Sequence, residues 1–88
     1  MKTPGEIKFE LDQRLVKLAN GGPIPTIVGL HSVTIENDTV FCGFDIAPDP
    51  TGDGILFFEF ELPTLVSRGD LRAFGEWLAS SGYGGTLH

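Results

Sequence analysis

Thr26–Glu36 reads TIVGLHSVTIE, Asn37-Asp38 follows, and Thr39–Ile46 reads TVFCGFDI. Both runs are rich in β-branched and aromatic residues, and Asn-Asp is a two-residue turn signal because both residues tolerate positive φ. Such a turn fixes pairing: Glu36 opposite Thr39, Ile35 opposite Val40, Val33 opposite Cys42, and His31 opposite Phe44. That register places Val33, Ile35, Val40, Cys42, Phe44 and Ile46 together on one face. A slip of one residue would turn the whole set over, so hydrophobic pattern and turn chemistry support each other.

Outward from this hairpin, Pro48–Gly54 (PDPTGDG) has the composition of a loop. Ile55–Leu62 is a third strand, with Leu56, Phe58, Phe60 and Leu62 on one side and Ile55, Phe57, Glu59 and Glu61 on the other. Upstream, Thr3-Pro4-Gly5-Glu6 carries the spacing of a capping box, with proline where its missing N–H is harmless. Ile7, Leu11, Leu15 and Leu18 continue at helical spacing until Gly21 and Gly22. Downstream, Ser67 and Asp70 can cap a second helix with an apolar stripe of Leu71, Phe74, Trp77 and Leu78, closed by Gly82. The expected fold is α+β: a three-stranded antiparallel sheet flanked by an N-terminal and a C-terminal helix, in the order α-β-β-β-α. Residues 1–88 form a single domain in this reading, with 80–88 a Gly-rich flexible tail.

Six Lys and Arg stand against twelve Asp and Glu, for a net charge of −6. All seven acids between residues 18 and 67 (Glu36, Asp38, Asp45, Asp49, Asp53, Glu59, Glu61) lie in a window without a single base. This charge argues against direct binding to nucleic acid or anionic lipid. No apolar run reaches the ~18 residues of a membrane span, and the first residues lack a signal-peptide core. One cysteine, Cys42, cannot form an internal disulfide, which fits a cytoplasmic location.

Chemical signatures are sparse. Asp49–Gly54 resembles the opening of a calcium loop, but its twelfth position is Phe60, so no metal ligand set is expected. His31 and Cys42 fall diagonally on the inward face, where a nucleophilic couple would have no substrate access. Glu59 and Glu61 share a strand face as solvent-side carboxylates do, without a second acid–base partner. The expectation is a protein without catalytic residues or cofactors.

The outward face is the informative one. It should carry Leu30, Ser32, Thr34, Phe41, Gly43, Asp45, Phe57, Glu59 and Glu61. Phe41 is expected between Thr34 and Glu61, Phe57 next to Asp45, and inward Cys42 beside Phe60. Large aromatics rimmed by carboxylates form a patch that calls for an occupant unless a helix or the tail covers it. The partner-binding set is therefore Phe41, Asp45, Phe57, Glu59 and Glu61, with Glu36 and Asp38 at the turn. A partner protein that normally binds nucleic acid fits, since carboxylates can occupy sites meant for phosphates. In size and charge the chain resembles small acidic phage inhibitors such as anti-CRISPR proteins, which implies a viral inhibitor or nucleic-acid mimic. The alternatives are a homo-oligomer, such as a homodimer, serving in a larger assembly, and a small metal-binding or enzymatic module.

Overall fold

The computed structural model describes residues 2–47 and 54–80. Helix α1 spans Pro4–Ala19, and its capping box is complete: Glu6 N–H donates to Thr3 Oγ1 and Thr3 N–H to Glu6 Oε1. Asn20, rather than a glycine, makes the first left-handed turn beyond it (φ 50°), and Gly21 follows (φ 87°). Strands β1 (Thr26–Glu36), β2 (Thr39–Ala47) and β3 (Ile55–Glu61) form an antiparallel sheet in the order β1-β2-β3. The hairpin turn needs one left-handed residue, Asn37 (φ 58°).

A 3-10 turn, Arg68–Asp70, leads into helix α2, Leu71–Ser80. The expected Ser67–Asp70 cap takes a different form. Ser67 Oγ accepts no backbone N–H, and instead the hydroxyl donates to the Asp70 carboxylate at 2.9 Å, while the Ser67 carbonyl accepts from Asp70 N–H. The expected stop at Gly82, the 81–88 part of the tail and the Pro48–Asp53 part of the loop lie outside the described residues. No helix among the described residues is long and apolar enough to cross a membrane.

Both helices cover the same face of the sheet. Ile7, Leu11 and Leu15 of α1 and Leu71, Phe74 and Leu78 of α2 are buried with Val40, Cys42, Phe44, Leu56, Phe58 and Phe60. Phe58, Phe60, Phe74 and Trp77 run as a chain of ring contacts at 5.5–5.7 Å from β3 into α2. The Lys8 ammonium stands 5.5 Å from the Trp77 ring, linking the two helices. The described elements therefore share one core, and the α-β-β-β-α order is the one read from the sequence.

The register departs from expectation in two places. β1 has eleven residues where β2 has nine, and the ladder skips two of them, Val28 and His31. Each is the extra residue of a β-bulge, which bends and twists the bulged strand. Leu30, not His31, therefore pairs with Phe44, and Leu30 turns inward against α2. A Cβ on Gly75 would stand 3.0 Å from a Leu30 methyl, so glycine is what lets the helix come this close. The expectations of an outward Leu30 and an inward His31 are both corrected by this bulge. The second departure is along β3, where Phe41 pairs with Glu59, Cys42 with Phe58 and Gly43 with Phe57. This is a shift of two residues from the expected neighbours Glu61, Phe60 and Asp45. A shift of two preserves which face each side chain takes.

Candidate functional site

The face of the sheet away from the helices is a grid in three rows. Glu36, Thr39 and Glu61 lie side by side across the strands at the hairpin-turn end. Thr34, Phe41 and Glu59 form the next row, and Ser32, Gly43 and Phe57 the third. Beyond them lie Asp45, opposite Gly29 and Ile55, and the bulged His31. Strand geometry sets Glu59 and Glu61 about 7 Å apart along β3 and Glu36 about 10 Å from Glu61 across the sheet.

The aromatic rings stay open. Phe57 is 64% exposed and Phe41 38%, so neither helix covers them. Val28, turned out by the first bulge, adds an apolar side chain at 69% exposure. Phe57 leans over Gly43: a Cβ there would meet Ser32 Oγ at 3.0 Å and Phe57 Cε1 at 3.4 Å. A depression of about 270 Å³ is lined by Phe41, Phe57 and Glu59 together with Cys42, Phe58 and Arg14. Arg14 reaches from α1 to donate to the Phe57 carbonyl at 3.0 Å, and its guanidinium stands 5.9 Å from the Phe58 ring.

The carboxylates fall into two groups. Asp38 pairs with Arg68 at 2.8 Å, tying the hairpin turn to the segment before α2, and its carbonyl accepts from Leu62 N–H. Asp45 lies 3.2 Å from His31 Nδ1. Glu36, Glu59 and Glu61 form no salt bridge among the described residues. Lys2 lies near Glu61 but pairs with Glu10; that hydrogen bond above all, with lesser pulls from Glu6 and Glu61, raises its pKa. Among the described residues the turn end of the face is thus acidic and without a salt bridge, its centre is aromatic, and its far end holds the contact between Asp45 and His31. α1 itself is balanced, with Glu6, Glu10 and Asp12 against Lys8, Arg14 and Lys17, so the excess negative charge belongs to the sheet side.

Three residues of this surface were not assigned to it from sequence: His31, expected inward, and Val28 and Arg14. The signal for the first two was present. Inward apolar residues of β1 recur at Ile27, Leu30, Val33 and Ile35, with spacings of three, three and two instead of two throughout. Each spacing of three marks one extra residue. Arg14 left no local signal, since its partner is 43 residues away.

The His31–Cys42 couple does not exist: His31 faces outward and Cys42 is buried inward. Burial pushes the Cys42 thiol up to about 11. Among the described residues no group of three or more His, Cys, Asp or Glu could hold a metal ion, while most of the loop resembling a calcium site lies outside them. Comparison with protein-family models, curated proteins and solved structures gives no match.

Proposed function

We propose that this chain is a non-catalytic protein-binding module that docks through the helix-free face of its sheet onto a partner with a basic surface. The observation that carries the reading is the pair Phe41 and Phe57, left open on a face with three carboxylates, Glu36, Glu59 and Glu61, that form no salt bridge among the described residues. Aromatic side chains supply desolvated contact area at interfaces, while charge sets orientation and association rate. A protein that normally binds nucleic acid has the matching charge. Occupying its phosphate sites would make this chain an inhibitor of that protein. A single buried cysteine suits a reducing compartment such as the cytoplasm.

Self-association through the same face is less well supported. The strands contribute no Lys or Arg to this face, and the one arginine that reaches it, Arg14 from α1, is committed to the Phe57 carbonyl, so Glu36, Glu59 and Glu61 would meet like charges on a second copy. Edge-to-edge pairing is hindered at both edges, by the two bulges of β1 and by Arg14 on the Phe57 carbonyl of β3.

The test is affinity capture with wild-type bait and with Glu59→Gln/Glu61→Gln bait, in nuclease-treated lysate over a salt series. A basic protein held by the wild type, released by salt and lost from the variant supports the reading. Equal retention by both baits places the contact elsewhere.

A further inference from the structure

We propose, resting on this reading of the sheet face, that the depression beside Phe41 and Phe57 seats one arginine side chain of the partner. Its guanidinium would stack on the Phe57 ring and pair with Glu59. The first argument is size. About 270 Å³ is below the roughly 300–1,000 Å³ of sites that enclose drug-sized ligands, and far too narrow for a helix of about 10–12 Å. It has room for one long side chain.

The second argument is charge. Glu59 sits in register beside Phe41, forms no salt bridge among the described residues, and has Glu61 next to it on the same face. An anion would meet both carboxylates. An apolar group would strip water from Glu59 without replacing it. A cation on an apolar stem satisfies the rings and the carboxylate together.

The third argument separates arginine from lysine. A guanidinium is planar, weakly hydrated, stacks on aromatic rings and bonds a carboxylate through two parallel N–H groups. A lysine ammonium is a strongly hydrated point charge. The chain makes a related contact itself, with the Arg14 guanidinium near the Phe58 ring and bonded to a β3 carbonyl. Arg14 lines the same depression, but its head is already held by the Phe57 carbonyl at 3.0 Å and it forms no salt bridge with Glu59, so the carboxylate is left for the incoming guanidinium.

The experiment is an NMR titration at low salt with three probes: N-acetyl-arginine amide, N-acetyl-lysine amide and an octalysine peptide. Saturable shifts centred on Phe41, Phe57 and Glu59 are expected with the arginine probe, at a Kd at least threefold below that of the lysine probe. Phe57→Ala and Glu59→Gln should each weaken the arginine probe fivefold or more. Both positions are exposed, so both variants are expected to fold, and their amide spectra would show it. Equal shifts from arginine and lysine overturn the arginine seat and leave the basic docking face standing, as does octalysine binding with neither amide bound. If octalysine too leaves the face unperturbed, or arginine binds on the helices, both proposals are overturned.

Discussion

If His31 is a spare residue in β1, deleting it should leave the sheet in register. Without it, Ser32 still pairs with Gly43 and Leu30 with Phe44, and the alternation becomes regular. The losses are an exposed contact to Asp45, worth about 0–1 kcal/mol, and some local twist. The gain is one fewer residue to order, about 1–2 kcal/mol of conformational entropy. Deletion of His31 is therefore expected to change stability by no more than about 1 kcal/mol. Deletion of Thr34, three residues on, is different. The turn fixes Ile35 and Glu36, so Val33 moves outward and Ser32 moves inward against Cys42. Losing a half-buried valine costs about 1 kcal/mol and burying a hydroxyl another ~1–3 kcal/mol. Set against the same ~1–2 kcal/mol of ordering entropy, the net loss is roughly 1–2 kcal/mol, a sizeable part of the roughly 4–13 kcal/mol expected of an 88-residue chain. Urea unfolding separates the two: with a slope of about 1 kcal/mol per molar, the midpoint falls by roughly 1–2 M for the Thr34 deletion and holds or rises by up to about 1 M for the His31 deletion. Equal losses, or a His31 deletion in which Leu30 no longer shows NMR contacts to Gly75, would refute the bulge as the origin of the register.

Glu59→Gln with Glu61→Gln should alter stability by no more than about 0.5 kcal/mol in thermal unfolding, while slowing association with a basic partner and flattening its salt dependence. Phe41→Ala should remain folded and speed partner dissociation; loss of the folded circular-dichroism spectrum would assign Phe41 to the core instead. The Cys42 thiol should resist labelling at neutral pH until the protein unfolds. Because its folded-state pKa of about 11 lies above the unfolded value, stability is retained below about pH 8.5–9 and falls as pH rises toward 11, which denaturant titrations across that range would show. Gly75→Ala should stay within about 1 kcal/mol of wild type, its helix-propensity gain offsetting the push on Leu30, whereas Gly75→Val should lose about 1–3 kcal/mol in urea unfolding.

The legible parts of this fold were those governed by neighbours in the chain. Thr3 and Glu6 announce the start of α1 because capping is decided within one turn, and the Asn37-Asp38 turn sets the register of β1 on β2 as far as Ser32. Alternation assigned Phe41, Phe57, Glu59 and Glu61 to the outward face, and strand alternation needs no knowledge of the partner strand. What failed depended on counting across strands. Beyond Ser32 the bulge reverses the assignments of Leu30 and His31, and the β2–β3 register hangs on a loop whose composition states no length preference. Asp38 shows a further limit. Composition marks it as one more acid in an unbroken run, whereas it is neutralised by Arg68, thirty residues downstream.

The bond from Arg14 to the Phe57 carbonyl spans 43 residues, and that span bears on how the chain folds. The two hairpins join strands that are adjacent in sequence, so their closure costs less loop entropy than bringing α1 across to β3. The meander can form before the N-terminal helix docks, with one side of Phe44, Phe58 and Phe60 waiting for Ile7, Leu11 and Leu15. Truncating Leu11 should then act mainly on the unfolding rate, and disrupting the turn at Asn37 mainly on the folding rate. Until α1 docks, the part of the apolar side that it covers stays open even with α2 in place, and the time taken for that step adds to the period in which the chain is prone to aggregate.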